Sequence, residues 1–444
     1  MKLKSAIYIP LNINIIVLSI LVTSCLVNDS NSPEPSELFV KYYGGEATES
    51  IQDIAYISSS DEYIVVANSN SDDNFGANLN DIYVFKTDNE GTIQDEIYID
   101  YSSGLDTAND VVSRVKLLDD NSMILIGTTQ LFDNQIGILN EKFTYYLTLG
   151  EDLVPVNSVR DTLSINNTDV EGNDIIRTSD GNYVILSTVG NALSGERNLM
   201  YTKVSPETGE ILWRRINNIP GDEKGVSLLE LPNGDIAICA QTERVSVRGY
   251  SGINVLYLVL NPLGFIKNSL SYGTATANSI IVDDIPAKMV PDGLGAVIVG
   301  SSISNEEENP FILPVTSSGA ISNMTVLRIN DELNEGETLD ARFNDVRRTR
   351  NGDYIVTGDF VNFTRSTNLQ EGGSKRQEAL FVRTNQFGTE ILSFNNFGDN
   401  FDETGKAITE LSDGKVLIGA TIGFGGSNTK IGLIKANRNG RLLK

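Results

Sequence analysis

Carboxylates are the main groups in this 444-residue chain that could do acid–base chemistry near neutral pH, with 59 Asp and Glu against 34 Lys and Arg and no His. The lack of His removes the commonest general base, the Ser-His-Asp and Cys-His arrangements, and the imidazole ligands of zinc and iron sites. What remains is paired-carboxylate chemistry of the kind that cleaves glycosidic bonds, or an oxygen-ligand cation site. Asp174 and Asp345 stand at matching places in the repeat set out below, Asp53 is a third after a one-residue adjustment, and Arg177 and Arg348 match each other likewise. They are expected to form ion pairs in a central channel, with ligand contact as the alternative. A second group, Arg244, Arg248, Tyr250, Arg365, Lys375 and Arg376, concentrates basic and aromatic side chains in two long polar loops and is the candidate binding spot. Residues 70–76 alternate oxygen-bearing side chains, but the Gly falls one place late for a helix-loop-helix calcium loop and no closing acid is fixed. No metal site and no cofactor are therefore assigned.

The formal charge of −25 gives a field that repels polyanions, so nucleic acid is not an expected partner. Two Cys are present. Cys239 lies in the apolar run Ile236-Ala237-Ile238-Cys239-Ala240 and is expected to be a buried, inert thiol. Cys25 closes a different pattern: Lys2 and Lys4, a mostly apolar stretch over residues 6–21 interrupted by Pro10, Asn12 and Asn14, then Val22-Thr23-Ser24-Cys25. This is the layout of a secretory signal, too short and too polar for a convincing membrane span. Val-Thr-Ser-Cys resembles the bacterial lipobox. The resemblance implies that residues 1–24 are a lipoprotein signal peptide and that Cys25 carries the lipid, anchoring the chain in the cell envelope, with the outer membrane of a Gram-negative bacterium as the expected address. Several acyl chains hold a protein stably where one does not. Residues 25–37, with Pro33 and Pro35 among Asn, Ser and acids, read as a tether.

Residues 38–444 must position the candidate groups, and they do so as a repeat. Aligned on the small residue that ends each second strand, Ala67, Gly127, Ser187, Ala240, Gly300, Gly358 and Gly419 fall at intervals of 60, 60, 53, 60, 58 and 61 residues. The short runs before them, such as Tyr63-Ile64-Val65-Val66 and Tyr183-Val184-Ile185-Leu186, are apolar throughout, which predicts strands buried on both faces. Asp180-Gly181, Asn233-Gly234, Asp292-Gly293, Asn351-Gly352 and Asp413-Gly414 supply tight turns ahead of them. A four-stranded unit of this kind has no cover for its faces, and seven in series predict an all-β, seven-bladed β-propeller of four-stranded antiparallel blades. A pair of β-sandwiches or a β-solenoid is the alternative. The last unit lacks a full fourth strand, and the stretch Leu38-Phe39-Val40-Lys41-Tyr42-Tyr43-Gly44-Gly45 reads as a fourth strand without a unit, so the N-terminal strand is expected to close the last blade.

The pattern DGxYIVxG, IxKxxxxG and a fourth strand ending in YGG resembles the repeat propellers of bacterial secreted proteins and lipoproteins, across residues 38–444. Residues 204–213 are also similar to the blade motif of quinoprotein-like propellers; Trp213 is the sole Trp, so the docking tryptophans of that family are missing and its quinone cofactor and metal site do not carry over. Trp213 is expected to pack between blades. The functional expectation is a binding scaffold for a protein or glycan partner, carried on the face where the long second-to-third and inter-blade loops emerge. The alternative is a carboxylate-dependent lyase or hydrolase at the channel mouth.

Overall fold

The computed structural model describes residues 37–71, 79–102, 106–133, 141–159, 168–191, 196–217, 221–275, 281–304, 307–321, 324–330, 338–363, 375–398, 401–425 and 428–443. Seven four-stranded antiparallel sheets form the blades of a propeller. Blade I is Glu49–Ile57, Glu62–Ser69, Asp81–Thr87 and Ile93–Ile99, numbered first to fourth from the channel outward. Blades II to VI span residues 106–159, 168–217, 223–272, 283–326 and 341–397 in the same order. Blade VII takes three strands from the C-terminal end, Glu403–Glu410, Val416–Gly423 and Thr429–Ala436, and its outermost strand is Phe39–Tyr43. Phe39 pairs antiparallel with Lys435 and Tyr43 with Ile431, so the first and last strands close the ring on each other.

The blades form because their second and third strands are apolar on both faces. Each seam between neighbours holds its own core. Ile124, Ile126 and Tyr146 of blade II pack on Ile175, Tyr183 and Ile185 of blade III, and Tyr63, Val65 and Phe85 of blade I pack on Leu417, Ile431 and Leu433 of blade VII. The first-to-second connections are tight. In blade III the Gly181 N–H donates to Thr178 O and the Thr178 N–H to Asn182 O, a type I turn completed by Gly181 at a φ of 85° that a side chain would strain. Strands run further than their apolar stretches: the second strand of blade III is Tyr183–Asn191, its polar end paired with Thr168–Glu171 near the long-loop face. Blade V has only Thr325–Val326 as a fourth strand, and a two-stranded ribbon, Ile329–Asn330 with Thr338–Leu339, stands in the crossover after it.

One irregularity recurs in all seven blades. Each first strand carries a β-bulge, at Gln52, Ser113, Asn173, Val226, Ala287, Asn344 and Lys406, where the pairing with the second strand slips by one residue. The residues just after the bulges are Asp53, Arg114, Asp174, Ser227, Lys288, Asp345 and Ala407. The one-residue adjustment that brings Asp53 into line with Asp174 and Asp345 lies in the first turn of blade I, which is one residue longer: Asp53 pairs with Val66, 13 residues on, where Asp174 pairs with Leu186 and Asp345 with Thr357, 12 residues on.

Candidate functional site

Around the channel the post-bulge side chains build a charge network. The Lys288 ammonium lies 3.8 Å from Asp53 and 3.9 Å from Asp345. The Arg347 guanidinium reaches Asp345 at 2.7 Å and Asp53 at 3.8 Å, and Lys116 reaches Asp174 at 3.3 Å. Each aspartate also ties its blade to the next: Val115 N–H donates to Asp53 (3.3 Å), Leu228 N–H to Asp174 (3.0 Å) and Ile408 N–H to Asp345 (2.9 Å). Ser227 Oγ adds a second donor to Asp174 at 3.0 Å. Burial alone would push the Asp53 and Asp174 carboxyls up; the surrounding cations, Lys288 and Arg347 at Asp53 and Lys116 and Lys288 at Asp174, outweigh it and hold both below the usual carboxylate range. Lys288 goes the other way, because burial and the neighbouring Arg114 outweigh its two aspartates and push it down to about 7.

Arg177 and Arg348 do not join this network. Both are exposed at the end of their first strands, and Arg348 pairs with Asp292 of the neighbouring blade at 2.6 Å. The reason is the alternation of a strand: Asp345 and Arg347 share a side, Arg348 takes the opposite one, and Arg177 stands three residues beyond Asp174 in the same relation. Arg114, Lys116, Lys288 and Arg347 are channel cations missed in the sequence. Aligning all seven units on the bulge would have found them.

A second set of acids escaped notice. Five residues before each post-bulge position stands Asn109, Asp169, Asp222, Asp283, Asp340 or Asp402, in blades II to VII. Each accepts a backbone N–H where the third strand of the preceding blade begins: Asn80 N at 3.0 Å, Lys142 N at 3.2 Å, Arg197 N at 2.8 Å, Ile253 N at 2.8 Å, Glu308 N at 3.0 Å and Gln377 N at 3.0 Å. The next residue is a buried acid in five blades, namely Glu49, Asp110, Glu223, Asp284 and Glu403. Three of these cap the incoming crossover, accepting from Gly45 N (2.9 Å), Tyr101 N (2.7 Å) and Thr274 N (2.5 Å). Burial pushes Glu223 up to about 7 against its bond from Thr242, and raises Asp284 and Asp359 despite bonds from Ser302 and Thr274 and the Arg342 charge respectively. Asp81, Asp100 and Asp110 bring carboxylate oxygens within 4.8 Å of one another, the one such group of three among the described residues.

On the long-loop face, Arg248 and Tyr250 line a cavity of about 160 Å³ between blades IV and V, with Tyr272, Thr274, Ile321 and Met324. Their loop is pinned by its own hydrogen bonds: Ser246 N–H to Tyr250 O, Gly249 N–H to Ser246 O, Tyr250 N–H to Ser246 Oγ, and Val247 N–H to Ser271 O in the fourth strand. It presents Val245 and Val247 at 54% and 57% exposure. Arg244 lies on the same loop and donates to Ser269 Oγ at 3.1 Å. Lys375 and Arg376 open the third strand of blade VI, with blade V between them and this loop; Arg365 and Cys25 lie outside the described residues. Larger concavities lie on the short-turn face around Arg177, one of about 530 Å³ shared by blades II, III and IV and one of about 750 Å³ between blades II and III. Cys239 is fully buried and its thiol is pushed up by that burial. Trp213 packs against the Pro262-Leu263-Gly264 turn of blade IV and donates to Pro262 O at 3.2 Å.

No protein-family model and no curated protein matches the chain. Solved structures that resemble it do so at low identity. The Dos1 propeller is 10% identical with a TM-score of 0.45, over 91% of this chain and 97% of that one. The NanB sialidase of Streptococcus pneumoniae is 12% identical with a TM-score of 0.43, over 93% and 73%. A protein of unknown function from Dyadobacter fermentans is 10% identical with a TM-score of 0.43, over 91% and 96%.

Proposed function

We propose that this chain is a lipid-anchored propeller of the cell envelope that acts as a binding scaffold, taking a protein or glycan partner on its long-loop face. The observation that carries the reading is the loop around Ser246. Three backbone hydrogen bonds and one from Tyr250 N–H to Ser246 Oγ fix it, yet it holds Val245, Val247 and Arg248 outward beside an open cavity. Apolar side chains held in solvent add nothing to the propeller's core, and on a rigid loop they mark a contact surface. The anchor rests on Val22-Thr23-Ser24-Cys25 and the polar stretch after it. Cys25→Ser should move the protein from the membrane to the soluble fraction, and continued detergent dependence would reject the anchor.

The symmetry of the acids weighs against the hydrolase or lyase alternative. A catalytic pair needs two carboxyls facing one substrate from about 5 to 9.5 Å apart. Here the raised carboxyls Glu223, Asp284 and Asp359 sit on blades IV, V and VI, and none lines the cavities described above. The deciding experiment is a glycan-array and pull-down screen with the full chain beside the Val247→Ser/Arg248→Ala/Tyr250→Ala variant. A partner that binds both equally, and is lost instead on Arg177→Ala, would place the working face on the short-turn side.

A further inference from the structure

The short-turn face carries a feature that neither the channel nor the long-loop cavity uses. Its turn tips on three consecutive blades each hold an exposed large apolar side chain, Leu263 on blade IV (63%), Leu294 on blade V (75%) and Phe387 on blade VI (63%), and on blade VII Leu443 (80%) stands just past the Asn437–Arg441 turn. Their neighbours at the same level include exposed Arg350, Arg438 and Arg441. The turns of blades I to III differ. They present Asp88 and Glu90, Asp119 and Asp120, and Asp180, and the exposed Val154 and Val156 stand two and four residues after Asp152. One half of the face, over blades IV to VII, thus carries the apolar tips, with exposed Glu390 and Asp413 among its arginines, and the other half is mainly acidic, with Arg177 exposed beside its acids. An exposed tip gains nothing from Leu or Phe over a polar residue, and four in adjacent blades form a surface rather than scattered exceptions.

The point where the chain joins the propeller identifies what covers that half. Phe39 pairs with Lys435 at the short-turn end of blade VII, and Glu37 forms an ion pair at 2.7 Å with Lys415, directly after the Asp413-Gly414 turn. The segment leading back to Cys25 therefore leaves from the short-turn face, at the edge of the apolar half. Twelve residues lie between Cys25 and Glu37 inclusive of the latter, a span of at most about 40 Å even when fully extended.

We infer that the short-turn half of blades IV to VII is a membrane-docking surface, with Leu263, Leu294, Phe387 and Leu443 entering the headgroup region and the arginines lying at phosphate level, while the long-loop face points away from the bilayer. This rests on the lipid-anchored reading above. Apolar tips set among cations are the chemistry by which a protein lies on a bilayer interface, and the strongly acidic remainder of the surface turns away from it. The tether supplies a high local concentration, so weak contacts suffice.

The test uses the full lipidated chain in phosphatidylcholine–phosphatidylethanolamine vesicles, with and without phosphatidylglycerol. An environment-sensitive fluorophore is placed on Leu263→Cys, Leu294→Cys or Phe387→Cys, with Val247→Cys and Asp180→Cys as controls; Cys239 is buried and does not compete. Blue-shifted emission and quenching by shallow spin-labelled lipid at the three tips, with neither at the controls, is the expected result. Unquenched tips on a chain whose Cys25 is shown by mass spectrometry to be lipidated would overturn the docking surface and leave the anchor standing; an unlipidated Cys25 with quenched tips would reject the anchor alone. Tips shielded equally in lipid-free detergent solution, with a dimeric mass, would assign the surface to a second copy of the chain and overturn the proposal.

Discussion

Lys288→Met tests whether the channel charges hold the ring together or strain it. The Lys288 side chain is 4% exposed, its ammonium meets Asp53 and Asp345 only at 3.8 and 3.9 Å, and it is held down to about 7. The unfolded chain keeps this lysine near its ordinary value of about 10.4, so between about pH 7 and 10 it binds more protons than the native state and stability rises with pH. The full difference is worth about 4 to 5 kcal/mol if nothing else responds, and about 2 kcal/mol once Arg114, Arg347 and the aspartates readjust. Tyrosines raised by burial, such as Tyr272 and Tyr354, act in the opposite sense, but only above the usual tyrosine value of about 10. Cys239, pushed up by burial, also opposes the lysine above the ordinary thiol value of about 8.5, and Lys406 and Lys435, lowered by burial, act with it. The share of Lys288 is therefore the difference between wild type and variant over the window from about pH 7.5 to 9.5. Methionine keeps the volume, and Asp53 and Asp345 keep Arg347 at 3.8 and 2.7 Å. Urea titrations followed by Trp213, the sole tryptophan, should show a stability that climbs more steeply across the window in the wild type than in Lys288→Met, with the variant neutral or more stable at the lower pH. Equal slopes in the two proteins, or a loss of more than about 3 kcal/mol in the variant at pH 7.5, would show that the ammonium is charged and needed.

Asp174→Ala should cost about 3 to 5 kcal/mol, because it strands the Leu228 N–H and Lys116 and leaves the Ser227 hydroxyl only Met289 O, whereas Arg177→Ala on the same strand should change stability by no more than about 0.5 kcal/mol. Equal losses in denaturant titrations would show that the channel assignment of Asp174 is wrong. Deleting residues 38–45 should open the edge of blade VII and cause aggregation or a large drop in melting temperature, while deleting residues 26–36 should do neither. Indistinguishable melting curves would mean that the closing strand holds nothing.

The blades were legible because their signal is local and repeated. An apolar run buried on both faces, a Gly at the turn and a period near 60 residues are each visible without knowing the ring, and the orphan strand at Phe39–Tyr43 follows from counting strands. The channel was legible only in part. Asp53, Asp174 and Asp345 stand out as acids in apolar surroundings, but apart from Arg347, two residues from Asp345 on the same strand, their cationic partners come from other blades, about 60 to 290 residues away in sequence, and a bulge shifts the alternation that would place them. Arg348 is next to the right residue, Arg347, and one step along a strand is enough to put a side chain on the wrong face.

The acids that make the chain look like a carboxylate enzyme recur with the repeat, and that recurrence is what a seam requires. Every blade faces a similar problem, since the third strand of its neighbour begins with a backbone N–H just beyond the last ladder bond, and six of the seven solve it with an Asp or Asn at one position. One of these clasps bears on function. Asp283 accepts from Ile253 N at 2.8 Å, and Ile253 ends the loop that presents Val247, Arg248 and Tyr250. Removing the carboxylate strands one amide at a partly buried site, which costs about 1 to 2 kcal/mol, and it does so where the loop is joined to the blade. Asp283→Ala should therefore raise amide hydrogen exchange across residues 245–253 and weaken partner binding with little effect on the fold. Asp340→Ala, whose amide is Glu308 N on blade V, should lose comparable stability and leave that loop's exchange and the binding unchanged. If both variants weaken binding alike, the loop owes its shape to the ring as a whole, and the clasp at Asp283 has no special hold on the binding face.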